Sequence, residues 1–156
     1  MTDIVIYYSR TKNTKKVAEI IARKYNAETL EVKDKQRRSG LLGFVKSGYD
    51  SIRENDTKIE YDKLDLKDYD TIFIGTPVWA SKPTPAIVQF IKENEFSGTK
   101  CVTFATMMGS GGETTINVIN NMIISQGGTV KDSFILAVKN KDIEELTNEA
   151  MDDLNL

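Results

Sequence analysis

"IVIYYSRTKNTKKVAEIIARKY", residues 4–25, changes its period part-way through. Ile4 to Tyr8 is an unbroken apolar, β-branched and aromatic run, the pattern of a strand buried on both faces. From Thr14 onward Val17, Ile20, Ile21 and Tyr25 recur at helical spacing, which predicts an amphipathic helix over 13–25. The junction between them carries three hydroxyls (Ser9, Thr11, Thr14), Asn13 and four cations (Arg10, Lys12, Lys15, Lys16). A single N-cap would account for one of these residues. Hydroxyls, an amide and the free N–H groups of a helix start together make a socket for a phosphate. The helix dipole adds roughly 0.3–1 kcal/mol for an anion, and each hydrogen bond to a charged group about 1.5–3 kcal/mol.

The strand-then-helix alternation continues along the chain. "AETLEVK" (27–33) reads as a second strand and "DKQRRSG" (34–40) as a polar loop. Leu41, Val45, Tyr49 and Ile52 predict a helix, although Gly43 and Gly48 each cost about 1 kcal/mol there. Within 36–56, Arg37 and Arg38 belong either to a solvated loop and helix or to a partner-docking arm. Residues 70–75 read as the third strand, and "PTPAIVQFIKENEF" (83–96) as a helix opening with Pro83 and Pro85. "KCVTFATM" (100–107) is the fourth strand, 113–125 a helix, 128–138 the fifth strand's segment and 142–154 a closing helix with an acidic outer face. Five such alternations predict parallel strands joined by right-handed crossovers. The expectation is an α/β fold, one doubly wound domain over residues 1–156.

Composition narrows the chemistry. At 156 residues the chain is long enough to bury about 70% of its extended surface. One cysteine, Cys101, permits no intrachain disulfide and fits a reducing compartment, so a cytoplasmic location is expected. There is no histidine, which removes imidazole acid–base chemistry and His-containing metal sites. The start lacks a basic segment followed by an apolar one, and no apolar run approaches a membrane span; neither secretion nor a membrane is expected. The net charge of −2 is uneven: residues 1–50 carry 11 Lys/Arg against 6 Asp/Glu, and the remainder 10 against 17. Positive charge so local and modest disfavours nucleic acid and suits one small anion.

In sheets of this kind ligands lie beyond the carboxyl ends of the strands, at the switch in strand order. Two more loops there are unusual. In "GTPVWASKPTP" (75–85) the only tryptophan, Trp79, sits in a segment pinned by Pro77, Pro83 and Pro85. It is placed either to stack on a flat ligand, worth about 0.5–1.5 kcal/mol beyond burial, or to cover the core edge. In "TMMGSGGET" (106–114) Gly109, Ser110, Gly111 and Gly112 let backbone approach a ligand closely. Neither GxGxxG nor a Walker motif is present, which disfavours Rossmann dinucleotides and ATPase chemistry. Gly75-Thr76 ends the third strand where a phosphoacceptor signalling domain needs aspartate.

Together the three loops resemble the flavodoxin family, and the five strand–helix units match its fold over essentially the whole chain. The family's phosphate signature S/T-x-T-G-x-T corresponds to Ser9-Arg10-Thr11-Lys12-Asn13-Thr14. The resemblance implies a five-stranded parallel sheet in the order 2-1-3-4-5 and flavin mononucleotide (FMN) as cofactor. Its phosphate would lie on Ser9, Arg10, Thr11, Lys12, Asn13 and Thr14. Thr76, Pro77, Val78, Trp79, Ala80 and Ser81 on one side, and Met107, Met108, Gly109, Ser110, Gly111 and Gly112 on the other, would flank the isoalloxazine. Three departures stand out. Lys12 replaces the usual glycine, so a positive φ there would be strained. The 107–112 loop lacks the tyrosine that stacks on flavin in many relatives. Ala80-Ser81 replaces a dipeptide that often contains glycine, so a peptide flip there costs more.

By the same resemblance the chain is an electron-transfer protein shuttling low-potential electrons between a reductase and an acceptor, as a monomer or weak dimer. Asp62, Asp65, Asp68 and Glu95 are candidates for guiding that docking, or form a solvated rim. The alternative is an FMN-dependent NAD(P)H:quinone-type reductase, towards which the missing glycine and missing aromatic lean.

Overall fold

The computed structural model describes residues 2–35, 58–154 and 156. In chain order the elements are β1 (Thr2–Tyr7), α1 (Asn13–Tyr25), β2 (Glu28–Glu31), β3 (Lys33–Asp34) and β4 (Ile59–Glu60). After a 3-10 turn (Leu66–Asp68) come β5 (Tyr69–Trp79), β6 (Lys82–Pro83), α2 (Pro85–Glu93), β7 (Lys100–Met107), α3 (Gly112–Ser125), β8 (Thr129–Ala137) and α4 (Ile143–Asp152).

The main sheet runs β2-β1-β5-β7-β8 with every one of these pairs parallel. That is the expected 2-1-3-4-5 order. Its cause is visible in β1, where the period of two sends alternate side chains to opposite faces. Ile4 and Ile6 join Ile72, Ile74, Ile87, Phe90, Ile91, Ile119 and Ile123 in one apolar layer, under α2 and α3. Val5 and Tyr7 join Val17, Ile20, Ile21, Phe73, Val102, Phe104 and Met151 in the other, under α1 and α4. A strand that feeds both layers has no polar face to show, which is why its sequence reads as continuously apolar.

Register lines up the carboxyl ends. Tyr7 lies beside Gly75, Gly75 beside Phe104, and Thr76 beside Ala105. The close approach is extreme at Gly75, where an added Cβ would fall 2.1 Å from Phe104 Cζ. The Phe104 ring occupies that space and stacks on Phe134 at 5.3 Å with an interplanar angle of 7°.

Four features differ from the sequence expectation. The second strand breaks at buried Val32, and the two residues beyond it (β3) turn away to pair antiparallel with β4. The third strand extends beyond residue 75 to Trp79, then reverses into the short antiparallel β6. Pro83 therefore lies in β6 and not in a helix; it has no N–H to give, and a short outer strand tolerates that. The helix begins instead at Pro85 and ends at Glu93. The closing helix is N-capped by Asp142, whose carboxylate accepts from the amides of Glu144 (3.0 Å) and Glu145 (3.2 Å). The helix expected around Leu41, Val45, Tyr49 and Ile52, and the cations Arg37 and Arg38, lie outside the described residues.

Candidate functional site

The first loop hands β1 to α1. The first backbone bond of the helix runs from the Lys16 amide to the Lys12 carbonyl (2.9 Å), and the Lys15 amide is taken by Ser9 Oγ (3.1 Å). Among the described residues, no protein acceptor reaches the amides of residues 9–14. These donors open onto the positive end of a helix of 13 residues. Lys12 occupies the left-handed region at φ 70°, ψ −2°, the conformation that glycine adopts at no cost. Arg10, Thr11 and Lys12 are exposed, Ser9 and Asn13 half-buried.

Thr14 is different. It is buried, and its hydroxyl bonds Thr106 Oγ1 at 2.8 Å, tying the start of α1 to the end of β7. Ser9 Oγ accepts from the helix and keeps its own proton for another acceptor. Ser9 and Thr11 have a proton to offer outward, and Thr14, whose bond to Thr106 can run in either direction, braces the loop from below without giving up its capacity to donate.

The second loop is a hairpin. Val78 pairs with Pro83 and Trp79 with Lys82, leaving Ala80 and Ser81 as a two-residue turn with φ of 51° and 63°. Positive φ at both positions is the type I′ arrangement, which favours Asn-Gly. Ala80-Ser81 meets it with strain. Ala80→Asn is expected to raise the urea midpoint by an amount equivalent to about 1 kcal/mol; an unchanged midpoint would mean the turn carries no strain. Beneath the turn, buried Thr76 accepts from the Thr84 amide through its Oγ1 (3.0 Å) and donates to the Pro77 carbonyl (2.9 Å). This pins the hairpin to the start of α2. Pro77, Val78 and Trp79 are half-buried, and Ala80 and Ser81 exposed.

The third loop, after β7, touches that hairpin. Gly111 has φ +95°, and a Cβ on it would meet Ser81 Cα at 2.7 Å. Met108, Gly109 and Ser110 are exposed, Met107 and Gly111 half-buried, and Gly112 buried at the start of α3. The residues singled out in the sequence thus converge in three adjoining loops at one end of the sheet, with Thr14, Thr76 and Gly112 beneath the surface they form.

Sequence reasoning missed two members of this arrangement. Tyr8 meets Trp79 edge to face, with ring centroids 5.6 Å apart at 87°. Thr106 is the partner of Thr14. Tyr8 carried a signal, as the aromatic directly before the hydroxyl cluster; Thr106 carried none, because its role depends on a residue 92 positions away. Reactive side chains are scarce. Burial pushes the Cys101 thiol up to about 11 and the Tyr7 phenol up to about 12, so both are protonated at neutral pH. Among the described residues no group of acidic or cysteine side chains is arranged to hold a metal ion, and no helix is long and apolar enough to cross a membrane. Among the described residues, concavities lie away from the loops between α1, Thr29 and Glu144 and along β2, Asp62–Leu64 and Tyr69. Neither touches the amide run or Trp79.

The family model described as flavodoxin matches residues 2–145. The chain belongs to the flavodoxin family. Among solved structures, this flavodoxin is similar to a flavoprotein from Lactobacillus acidophilus NCFM in complex with FMN, at 25% identity and a TM-score of 0.72, covering 86% of this chain and 92% of that one. A candidate flavoprotein of Bacteroides eggerthii DSM 20697 superposes with a TM-score of 0.76 at 24% identity, over 99% and 98% of the two chains. A flavodoxin from the domain Archaea gives 0.62 at 23% identity, over 97% and 95%. These last two likenesses concern the fold. No curated protein matches the chain.

Seen as a flavodoxin, the chain keeps Ser9, Thr11 and Thr14 of the signature and departs from it at Lys12. Lysine stands in the left-handed position where the family usually has glycine, at a cost of roughly 1–2 kcal/mol. The loop after β7 carries no aromatic, and its exposed apolar side chain is Met108, at 59%.

Proposed function

We propose that this flavodoxin binds FMN in the three-loop site and carries low-potential electrons between a reductase and an acceptor protein. The observation that carries the reading is the run of amides at residues 9–14, unsatisfied within the described protein, at the N-terminus of α1. A phosphate there meets backbone donors, the Ser9 and Thr11 hydroxyls, the Asn13 side chain and the charges of Arg10 and Lys12. The fit is one of donor chemistry: every side chain in that loop is cationic or can donate a hydrogen bond, and Thr14 keeps that capacity because its bond to Thr106 can run in either direction.

When bound, FMN supplies the redox chemistry, and the protein sets its position and electrostatic surroundings. Trp79, with Pro77, Val78, Ala80 and Ser81, forms one wall for the ring; Met107 to Gly112 forms the other. Tyr8 buttresses the indole from its edge. The Gly111–Ser81 contact fixes how far apart the two walls stand. Lys82, beside Trp79 in the hairpin, favours added negative charge on the ring where it lies close. The whole chain acts as one domain in this reading, in the cytoplasm, as a monomer or weak dimer. Acidic Asp62, Asp65, Asp68 and Glu95 offer a docking rim to a basic partner.

A second reading, an FMN-dependent NAD(P)H:quinone-type reductase, is favoured by the exposed Met108 and the absence of an aromatic on that wall, which leaves a ring face open to a substrate. The absorbance spectrum of the purified protein after incubation with FMN tests the site, and NAD(P)H consumption with a quinone separates the two functions. Trp79→Ala is expected to weaken FMN binding about tenfold, the sum of lost stacking and burial. Unaltered affinity would remove Trp79 from the site.

A further inference from the structure

Arg10 points the phosphate loop at the ring wall. Its guanidinium lies over the Trp79 indole, 5.6 Å from the ring centroid, while Tyr8 holds the edge of the same ring. Among the described residues no carboxylate pairs with Arg10. The side chain is exposed and belongs to a loop whose amides have no acceptor of their own. One cation is thus held by an indole at the rim of the loop proposed to take the phosphate.

We propose that Arg10 is a two-position latch: seated on Trp79 while the 9–14 loop holds no anion, and drawn onto the phosphate when the loop is filled. This rests on the FMN reading of the site and adds to it a coupling between its two halves. The physical basis is a competition. A guanidinium over an exposed indole is a weak contact, whereas a guanidinium on a phosphate makes paired, charge-assisted hydrogen bonds. Filling the loop therefore frees the indole face for a flat ring. By linkage, a flat ring that displaces Arg10 raises the affinity for the anion by the same factor. Arg10 thus does more than the amides and hydroxyls of the loop: by leaving Trp79 for the phosphate it couples the two halves of the site.

The chain carries its own reporter, since Trp79 is the only tryptophan. Inorganic phosphate titrated into the apoprotein is expected to change Trp79 emission saturably, and saturating phosphate to tighten riboflavin binding about two- to fivefold, the worth of one exposed cation–π contact. Chloride at matched ionic strength should do neither. In Arg10→Gln the emission should start near the phosphate-saturated value and riboflavin affinity should no longer depend on phosphate. Arg10→Lys should restore part of the coupling, which loss of loop structure would not allow. FMN binding with no phosphate effect on emission or riboflavin affinity would overturn the latch and leave the FMN reading standing. Failure of both FMN and riboflavin to bind would overturn the two together.

Discussion

A protein carrying Gly75→Ala is expected to unfold at a much lower denaturant concentration than the parent, with stability reduced by about 3 kcal/mol, the upper end of ordinary overpacking. The new Cβ would stand 2.1, 2.2 and 2.7 Å from three atoms of the Phe104 ring. That ring is fully buried on β7, an interior strand, and stacked face to face on Phe134, so it has little freedom to withdraw. Room has to come from β5 and β7 moving apart, and these are neighbouring central strands of the sheet. Gly109→Ala is the control, because no heavy atom lies within 4 Å of its added Cβ. Adding Phe104→Leu to Gly75→Ala should recover part of the loss, a non-additive pair of the kind direct contact produces. Equal midpoints for Gly75→Ala and Gly109→Ala would contradict the packing described.

The second large effect concerns the phosphate. Ser9→Ala combined with Thr11→Ala is expected to lower FMN affinity on the order of 100-fold or more, since two hydrogen bonds to a charged group are lost. Riboflavin, which has the same ring and no phosphate, should lose little. Thr14 is left intact in this variant because its hydroxyl also bonds Thr106, and its removal would disturb the scaffold. Ser9→Ala also deprives the Lys15 amide of its acceptor, a loss of about 1 kcal/mol of helix stability, so both affinities are to be read well below the unfolding transition. Equal losses for FMN and riboflavin would place the phosphate elsewhere.

Much of this architecture is legible in the chain. α1 falls on residues 13–25 as its spacing predicts, the parallel strands follow from apolar runs alternating with helices, and their order is the one the family resemblance implies. The features that were not legible depend on distant partners. Nothing in "AETLEVK" announces that pairing ends at Val32, because the partner of Lys33 and Asp34 lies at residues 59–60. Pro83 and Pro85 look alike in sequence; one ends up in a hairpin and the other in the first turn of a helix because Thr76 accepts from the amide of Thr84 between them. At the site, the residue types of the first loop signal an anion, yet they do not reveal which hydroxyls face outward. Thr14 also braces the loop, and only its contact with β7 says so. Lys12 is the converse case: family resemblance marks it as sitting in a glycine's place, and the backbone there adopts a glycine's conformation.

The 2.8 Å bond between Thr14 and Thr106 has one more outcome. It rivets the ledge that would seat a ligand's anionic end to the same strand from which one wall of the ring slot emerges. The gap between those two seats then behaves like a ruler of set length. A molecule whose spacer between flat head and charged tail is longer or shorter than that gap must leave one end hanging, so selection among flavins would be made by reach as much as by chemical taste.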